Sequence, residues 1–303
     1  MNGITRRFLK FISTNNINLK KNYKRYRRLI NFFNPHIEPI YKMLDHKIYA
    51  EDREIPVRLF IPEKANSSKV IIFFHGGGWV TGNIDSYSNV CSLMANQTGH
   101  RVISVDYRLA PEYPFPAGLM DCYKVVSEIF LNSHILNANN EDITIVGDSA
   151  GGNLASAVSL MARDRGGFLP SKQILIYPAS YYDHGPGSPY PSVVENGTDY
   201  LMTSERIQDY MDLYVPNEED RENPYVAPLL ADNLKNQPDT LVITAEFDPL
   251  RDEGEAYGKR LKEDGNNVII HRVKDEIHGF FSNPLRKDTV NDLYEIINNF
   301  LNN

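Results

Sequence analysis

The sequence has few cysteines and no long apolar run, and both shortages exclude whole classes of protein. Cys91 and Cys122 are the only cysteines among 303 residues, too few for a disulfide framework. Each lies in a segment with a helical pattern, so we expect two reduced, partly buried thiols. The longest strand-like apolar run, Val70–Phe74, is far shorter than the ~18 residues of a membrane span. Near the N-terminus only Phe8 and Leu9 lie between the flanking cations, which is no signal-peptide core. We therefore expect a cytoplasmic globular protein.

Acidic residues are absent from residues 1–33, which hold nine basic side chains. All 39 acidic residues of the chain follow this basic segment. An acidic body repels phosphate groups over most of its surface, so we do not expect nucleic acid as a partner.

The basic segment has the pattern of an amphipathic helix. Its apolar residues recur every three or four positions, at Leu19, Tyr23, Tyr26, Ile30 and Phe33. We favour a helix packed on the acidic body. The alternative is a surface helix that touches anionic lipid or covers a binding site.

Strand-length apolar runs alternate with helix-length segments along most of the chain. The predicted strands are 57–61, 69–74, 101–105, 142–146, 173–177, 240–245 and 268–273. The predicted helices are 86–97, 117–131, 150–163, 251–263 and 288–301. This alternation indicates an α/β fold, with a mostly parallel sheet, helices on both faces and right-handed crossovers.

One interval interrupts this alternation between the strands that end at 177 and begin at 240. It is rich in Pro, Tyr, Gly and Asn and has one clear helical stretch, at 204–214. Because a structureless loop of that length is uncommon in a compact domain, we expect a cap insertion at about residues 178–220. The catalytic domain would span 46–303, and residues 1–45, helical in pattern, would form part of the same cap.

The strongest local signal is the sequence GDSAG at 147–151, between a predicted strand and a helix of small residues. A nucleophile elbow requires such small neighbours, because the turn is tight and lifts the serine hydroxyl above the sheet. The N-terminus of the following helix favours developing negative charge. A phosphate-binding turn is the alternative, but Asn153 stands where a P-loop needs lysine. Ser149 is therefore the predicted nucleophile.

Three consecutive glycines, Gly76, Gly77 and Gly78, follow the predicted strand that ends at Phe74. Glycines let the backbone approach a ligand closely with its N–H groups pointing inward. Acyl transfer needs such donors where the carbonyl oxygen becomes an oxyanion. A merely flexible loop is the alternative. We interpret His75, which precedes the glycines, as a structural hydrogen-bonding residue and not as a base.

A serine hydroxyl needs a base, and the expected chain order for this sheet is serine, acid, histidine. Three histidines follow Ser149. His184 lies in the insertion and His271 inside a predicted strand, whereas His278 lies in the loop that leaves the last predicted strand. We predict His278 as the base.

The acid that orients this base is predicted at Asp248. This residue comes just after the predicted strand 240–245, and carboxyl ends of parallel strands are where such sheets place their sites. Glu246 and Asp252 are the local competitors, and Asp252 is better placed in the first turn of the next helix.

Together these motifs resemble the hormone-sensitive lipase-like family of α/β hydrolases, which includes bacterial carboxylesterases and acetyl esterases. The matching motifs cover about residues 45–303 and are HGGGW at 75–79, YRLAPE at 107–112, PFPA at 114–117, GDSAGGNLA at 147–155, DPLRDEG at 248–254 and HGF at 278–280. The resemblance implies a Ser149, Asp248 and His278 triad. It also implies an oxyanion hole from the Gly76–Gly78 loop and the Ala150 amide, and a cap built from the N-terminal helices and the insertion.

The expected activity is hydrolysis of short- to medium-chain acyl esters of small molecules. We expect no metal or organic cofactor, since no histidine pair has metal-ligand spacing. An amidase or deacetylase on the same triad is one rival, and a non-catalytic small-ligand receptor of the same fold is another. The sequence is compatible with a monomer or an oligomer. Tyr181, Tyr182 and Tyr190 of the insertion are expected to limit the length of the acyl chain.

Overall fold

The computed structural model describes residues 13, 19–33, 43–51, 53–63 and 68–303. Their strands are β1 (Met43–Tyr49), β2 (Glu54–Phe60), β3 (Val70–Phe74), β4 (Arg101–Val105), β5 (Ile143–Asp148), β6 (Lys172–Ile176), β7 (Asp239–Phe247) and β8 (Val268–Ile277). Their α-helices are α1 (Leu19–Phe33), α2 (Ser88–Thr98), α3 (Ala117–Leu131), α4 (Ala150–Arg165), α5 (Pro191–Glu195), α6 (Ser204–Tyr214), α7 (Arg251–Glu263) and α8 (Lys287–Asn302).

The strands form one sheet in the order β1-β2-β4-β3-β5-β6-β7-β8. The pairs β1–β2 and β2–β4 are antiparallel, and the other neighbours are parallel. The central strands β3 and β5 are buried at every residue, as largely apolar strands between two helical layers should be. The prediction of an α/β fold with a mostly parallel sheet is confirmed.

Each face of the sheet packs against its own helices. From β3, Val70, Ile72 and Phe74 enter the larger core, which α3, α4 and α7 complete. Ile71 and Phe73 point the other way, into a second core with α2 and α8. This period of two along the strand is why a run of apolar residues can serve both layers.

The first strand was not expected. We predicted that residues 43–45 belong to a helical N-terminal segment, but β1 begins at Met43 and forms a hairpin with β2. Most of its residues are exposed, so it has no apolar pattern, and backbone pairing holds it at the sheet edge. The ion pair of Asp45 with Arg58 ties the two strands together. Residues 1–12, 14–18 and 34–42 of the predicted segment lie outside the described residues.

The last two strands are longer than the sequence predicted. β7 includes Glu246, and β8 continues to Ile277 past an irregularity opposite 245–247. The residues before His278 are therefore strand and not loop. Charged residues such as Asp275 and Glu276 conceal this extension from an apolar pattern.

The predicted helices are present, and both cysteines are more deeply buried than expected. Cys91 lies in α2 and Cys122 in α3, each fully buried without a disulfide. Three residues of the predicted stripe in α1 face the body: Leu19 is buried, and Tyr23 and Tyr26 pack against the larger core. No α-helix among the described residues is both long and apolar enough to cross a membrane.

Candidate active site

Ser149 lies in the sharp turn between β5 and α4. Its backbone has φ 55° and ψ −119°, a conformation that costs a non-glycine residue ~1–3 kcal/mol and is held only by its surroundings. The turn needs a glycine at Gly147, because a Cβ there would lie 2.2 Å from the carbonyl oxygen of Gly151. The expected strand–turn–helix context of the serine is present.

The structure brings together the serine, histidine and aspartate that the sequence singled out. Ser149 Oγ lies 2.9 Å from His278 Nε2, and His278 Nδ1 lies 2.8 Å from Asp248 Oδ2. Asp248 follows directly after β7, and its other carboxylate oxygen accepts a hydrogen bond from the Leu250 N–H at 2.9 Å. Because the buried aspartate accepts from Nδ1, the imidazole presents the unprotonated Nε2 to the serine hydroxyl.

The competing residues lie elsewhere. His184 Nε2 contacts Glu253, and His271 is inside β8. Glu246 accepts a hydrogen bond from the Asp275 N–H, and Asp252 in α7 is paired with Arg251.

Nearby carboxylates favour the protonated form of His278 and so act on its pKa. Burial is the largest single influence and lowers the pKa of the imidazole, but the carboxylate of Asp248 together with those of Asp148 and Glu253 outweighs it. The pKa of His278 is consequently raised above its ordinary value of 6.5. Such a base is well matched to a reaction in which the imidazole becomes positively charged.

Two of the residues that the sequence suggested for an oxyanion hole, Gly78 and Ala150, lie close to the serine. Gly78 has φ 58°, and a Cβ there would lie 2.3 Å from the ring of Tyr210 in α6, so only glycine fits. Ala150 is the first residue of α4, where N–H groups have no acceptor within the helix. Gly78, Ser149 and Ala150 line one small cavity.

His75 secures the start of the glycine loop. It is fully buried, its Nδ1 lies 2.8 Å from the carbonyl oxygen of Gly76, and its ring stacks on Tyr107 with centroids 4.3 Å apart. Burial lowers the pKa of His75 to about 4, so that it is neutral at physiological pH. Its contacts are those of a structural hydrogen-bonding residue.

Asp148 was not singled out by the sequence. Its buried carboxylate accepts hydrogen bonds from the Gly76 N–H at 2.7 Å and from the hydroxyls of Tyr87 at 3.0 Å and Tyr177 at 3.4 Å. Burial raises the pKa of Asp148 to about 6 despite these donors. The available signal was a carboxylate at the end of an otherwise apolar strand, but its partners come from three distant segments.

The space beside Ser149 has two parts. A cavity of about 200 Å³ includes Tyr26 and Ile30 of α1 among its walls, and one of about 20 Å³ ends against Ile207 and Leu250. Gly78, Ser149, Met202, Tyr210 and His278 line both.

The three tyrosines expected to limit the substrate do not line either cavity. Tyr181, Tyr182 and Tyr190 pack on one another instead, with ring centroids 4.7 and 5.3 Å apart. The sequence correctly marked the insertion as aromatic but could not tell which aromatic side chains face the serine.

Comparisons with known proteins agree with the fold. A family model described as the α/β hydrolase fold matches residues 71–282. The chain is 38% identical to an arylesterase of Saccharolobus solfataricus over 248 residues, which cover 82% of this chain and 79% of the arylesterase. It is 33% identical to the carboxylesterase NlhH of Mycobacterium tuberculosis over 231 residues, 75% of this chain and 71% of NlhH.

A similar solved structure covers nearly the whole length. The hyperthermophilic esterase of the archaeon Pyrobaculum calidifontis has a TM-score of 0.88 and 34% identity, over 99% of this chain and 98% of that one. The similarity therefore includes the residues outside the family model as well as those within it.

Proposed function

The chain belongs to the hormone-sensitive lipase-like family of α/β hydrolases and is a carboxylic ester hydrolase, and we propose that it cleaves short- to medium-chain acyl esters through an acyl-enzyme on Ser149. The observation that carries this proposal is the continuous hydrogen-bonded chain from Ser149 through His278 to Asp248. A hydroxyl, a base and an orienting carboxylate in this arrangement are what nucleophilic acyl transfer needs.

In the first half-reaction His278 Nε2 removes the Ser149 hydroxyl proton while Oγ bonds to the ester carbonyl carbon. The tetrahedral intermediate then collapses, the C–O bond to the alcohol breaks, and His278 returns the proton to the leaving oxygen. Water repeats the sequence on the acyl-enzyme and releases the carboxylic acid. Asp248 holds the imidazole in the required tautomer and stabilises the imidazolium.

The negative charge of the intermediate would be received by the N–H groups of Gly77, Gly78 and Ala150. The Gly76 N–H, which the sequence also suggested for this role, is engaged elsewhere, because it donates to Asp148 Oδ1 at 2.7 Å. The left-handed backbone at Gly78 and the position of Ala150 at a helix N-terminus support this assignment. Each such donor is worth about 2.7–4 kcal/mol to the transition state.

A cap limits the size of the ester. We assign to it α1, α5 and α6, because α1 and α6 supply Tyr26, Ile30, Ile207 and Tyr210 to the two cavities. A cavity of about 20 Å³ on one side of Ser149 leaves room for only a small group there, and about 200 Å³ lies on the other. Bounded cavities of this kind support a small, partly apolar ester as substrate.

The function is tested with Ser149→Ala. We expect the wild type to hydrolyse p-nitrophenyl butyrate and to be labelled by a fluorophosphonate, and Ser149→Ala to lose both with unchanged circular dichroism. A matched butyryl anilide distinguishes an amidase, because its turnover should be slower than that of the ester. Labelling that persists in Ser149→Ala, or an anilide cleaved faster than the ester, would contradict the proposal.

A further inference from the structure

The short cap helix α5 has two buried polar side chains that do not face the substrate cavities. Ser192 is fully buried and Asn196, directly after the helix, is 4% exposed. Both side chains contact the segment just after β7, in which Asp248 lies. Buried polar groups need partners, so the partners of these two residues indicate their role.

The Ser192 hydroxyl makes two hydrogen bonds with this segment. Ser192 Oγ donates to the carbonyl oxygen of Pro249 at 2.7 Å and accepts from the Asp252 N–H at 3.1 Å. Its own N–H donates to Asp252 Oδ2 at 2.8 Å. One residue of α5 thus holds the segment after the aspartate at two points.

Asn196 contacts the aspartate itself. Asn196 Nδ2 donates to the carbonyl oxygen of Asp248 at 3.2 Å and lies 3.4 Å from that of Glu246. The Arg251 N–H also donates to the Asp248 carbonyl oxygen, at 3.1 Å. The backbone of Asp248 is therefore held from the cap on one side and from the start of α7 on the other.

The aspartate needs such external support. The last ladder pair of β7 joins Phe247 to Ile277, and the register shifts between 245 and 247. Asp248 lies just beyond the sheet, so strand pairing does not fix its backbone. A rotation there would move Asp248 Oδ2 away from His278 Nδ1.

The helix that supplies the support is itself fixed. The Ser204 N–H donates to the carbonyl oxygen of Gly197 at 2.9 Å, which joins the ends of α5 and α6. A Cβ at Gly197 would lie 2.1 Å from the Val193 carbonyl oxygen, so the close approach requires glycine. Tyr210 of α6 packs over Gly78. The joined helices α5 and α6 therefore contact both the Gly76–Gly78 loop and the segment that contains Asp248.

We propose that α5 positions the catalytic acid, with Ser192 and Asn196 as positioning residues that hold the backbone of 248–249 and thereby aim the Asp248 carboxylate at His278. The inference rests on the proposed function, in which Asp248 is the acid. The cap then does more than bound the substrate, because its docking completes the alignment of the triad.

Two readouts separate positioning from simple structural support. A misaimed Asp248 stabilises the imidazolium less, so kcat should fall while KM, set by the cavities, should not change. The carboxylates that act on His278 are Asp248, Asp148 and Glu253. Weakening the contact with Asp248 should therefore lower the pKa of His278 and move the acid limb of the kcat/KM profile to lower pH.

The experiment compares Ser192→Ala and Asn196→Ala with the control Glu195→Gln. Glu195 is on the same helix, its side chain is 56% exposed, and its carboxylate pairs with the Arg251 guanidinium. We expect each alanine variant to lose kcat by at least about tenfold, short of the ~10⁴-fold loss that follows when an acid fails to set the tautomer. KM should stay within about twofold, and the control should match the wild type in both constants and in the acid limb.

Thermal unfolding shows whether each variant is folded. If Asn196→Ala does not fold, the test rests on Ser192→Ala, which removes only one hydroxyl group. If the folded alanine variants had the same kcat and the same acid limb of kcat/KM as Glu195→Gln, the positioning role would be wrong. The proposed esterase function would not be affected by that result. A wild type without ester hydrolysis, or an active Ser149→Ala, would instead overturn the function on which the inference rests. The His278–Asp248 proton in the NMR spectrum gives a direct check, and it should move upfield in both alanine variants.

Discussion

At the scale of single residues, the sequence indicates the reacting groups better than the groups that support them. Ser149 and His278 are marked by local motifs, and the order of the chain narrows the choice of acid to Asp248. Asp148 lies within the GDSAG motif, but the motif does not indicate its role, and Asn196 lies in no motif. The contacts of both residues join segments that are distant in sequence. Such roles depend on tertiary packing, which a local pattern does not encode.

The first residue-scale prediction concerns pH. Because the pKa of His278 is raised above 6.5, and a base must be neutral to act, kcat/KM should be low in acid and rise through an ionisation with a midpoint above 6.5. His278→Ala should lose nearly all activity. His271→Ala is the control, since this residue lies within β8 away from Ser149, and it should lose only some stability. Equal catalytic losses from both variants would leave the base unassigned.

The second residue-scale prediction concerns Asp148. We expect this residue to act in two ways, by anchoring the Gly76–Gly78 loop and by raising the pKa of His278 through its charge. Asp148→Asn keeps an oxygen for the Gly76 N–H but removes the charge, so the pKa of His278 should fall and the acid limb of kcat/KM should move to lower pH. Asp148→Ala removes the anchor of the loop as well. We expect it to lose about 10–100-fold more kcat than the asparagine variant, below the ~10²–10³-fold cost of one lost oxyanion donor.

The matched pair makes the two roles separable in steady-state assays across pH, with circular dichroism as the folding control. An acid limb that stays in place in Asp148→Asn would exclude the electrostatic role. Equal kcat in the two variants would exclude the anchoring role.

At the scale of secondary structure, the elements with a repeating apolar pattern were predicted and those without one were not. β3 is continuously apolar, β5 is largely so, and both are buried, so their bounds are close to those expected. β1 is an exposed edge strand, and the single turn of α5 is too short to show a helical period. Backbone hydrogen bonds and contacts with distant segments determine these two elements.

The helix α1 gives an element-scale prediction, because one of its side chains, Arg27, makes several polar contacts with the body. Arg27 Nε donates to the carbonyl oxygen of Val80 at 2.6 Å, Nη2 donates to that of Ala110 at 2.8 Å, and the guanidinium also pairs with Glu112. Arg27→Ala should lower the free energy of unfolding by about 1.5–3 kcal/mol, as for hydrogen bonds to a charged group.

Since α1 carries Tyr26 and Ile30 into the larger cavity, Arg27→Ala should also raise KM with little change in kcat. Arg28→Ala is the matched control, because Arg28 is an exposed cation on the same helix. Denaturant unfolding and kinetics on p-nitrophenyl butyrate test both effects. If Arg28→Ala weakened binding equally, general charge and not attachment of the helix would be responsible.

At the scale of the whole molecule, the distribution of charge opposes membrane docking. The basic segment precedes a body that carries every acidic residue of the chain. In the structure part of that charge is used internally, since Lys20 pairs with Asp209 at 3.2 Å and Arg27 with Glu112 at 2.9 Å. Cations that are already paired with the protein's own carboxylates contribute less to binding anionic lipid.

The resulting prediction is that the enzyme acts on dissolved small esters and not at a lipid surface. Butyrate esters should be cleaved faster than palmitate esters, because a palmitoyl chain exceeds the bounded cavities beside Ser149. Anionic vesicles should leave both rates unchanged, and Lys21→Ala, which removes an exposed cation of α1, should behave as the wild type with or without them. The measurement is hydrolysis of both esters with anionic and with neutral vesicles. Palmitate cleavage that exceeds butyrate cleavage when anionic vesicles are present would show that α1 docks on lipid and that the small-ester function is wrong.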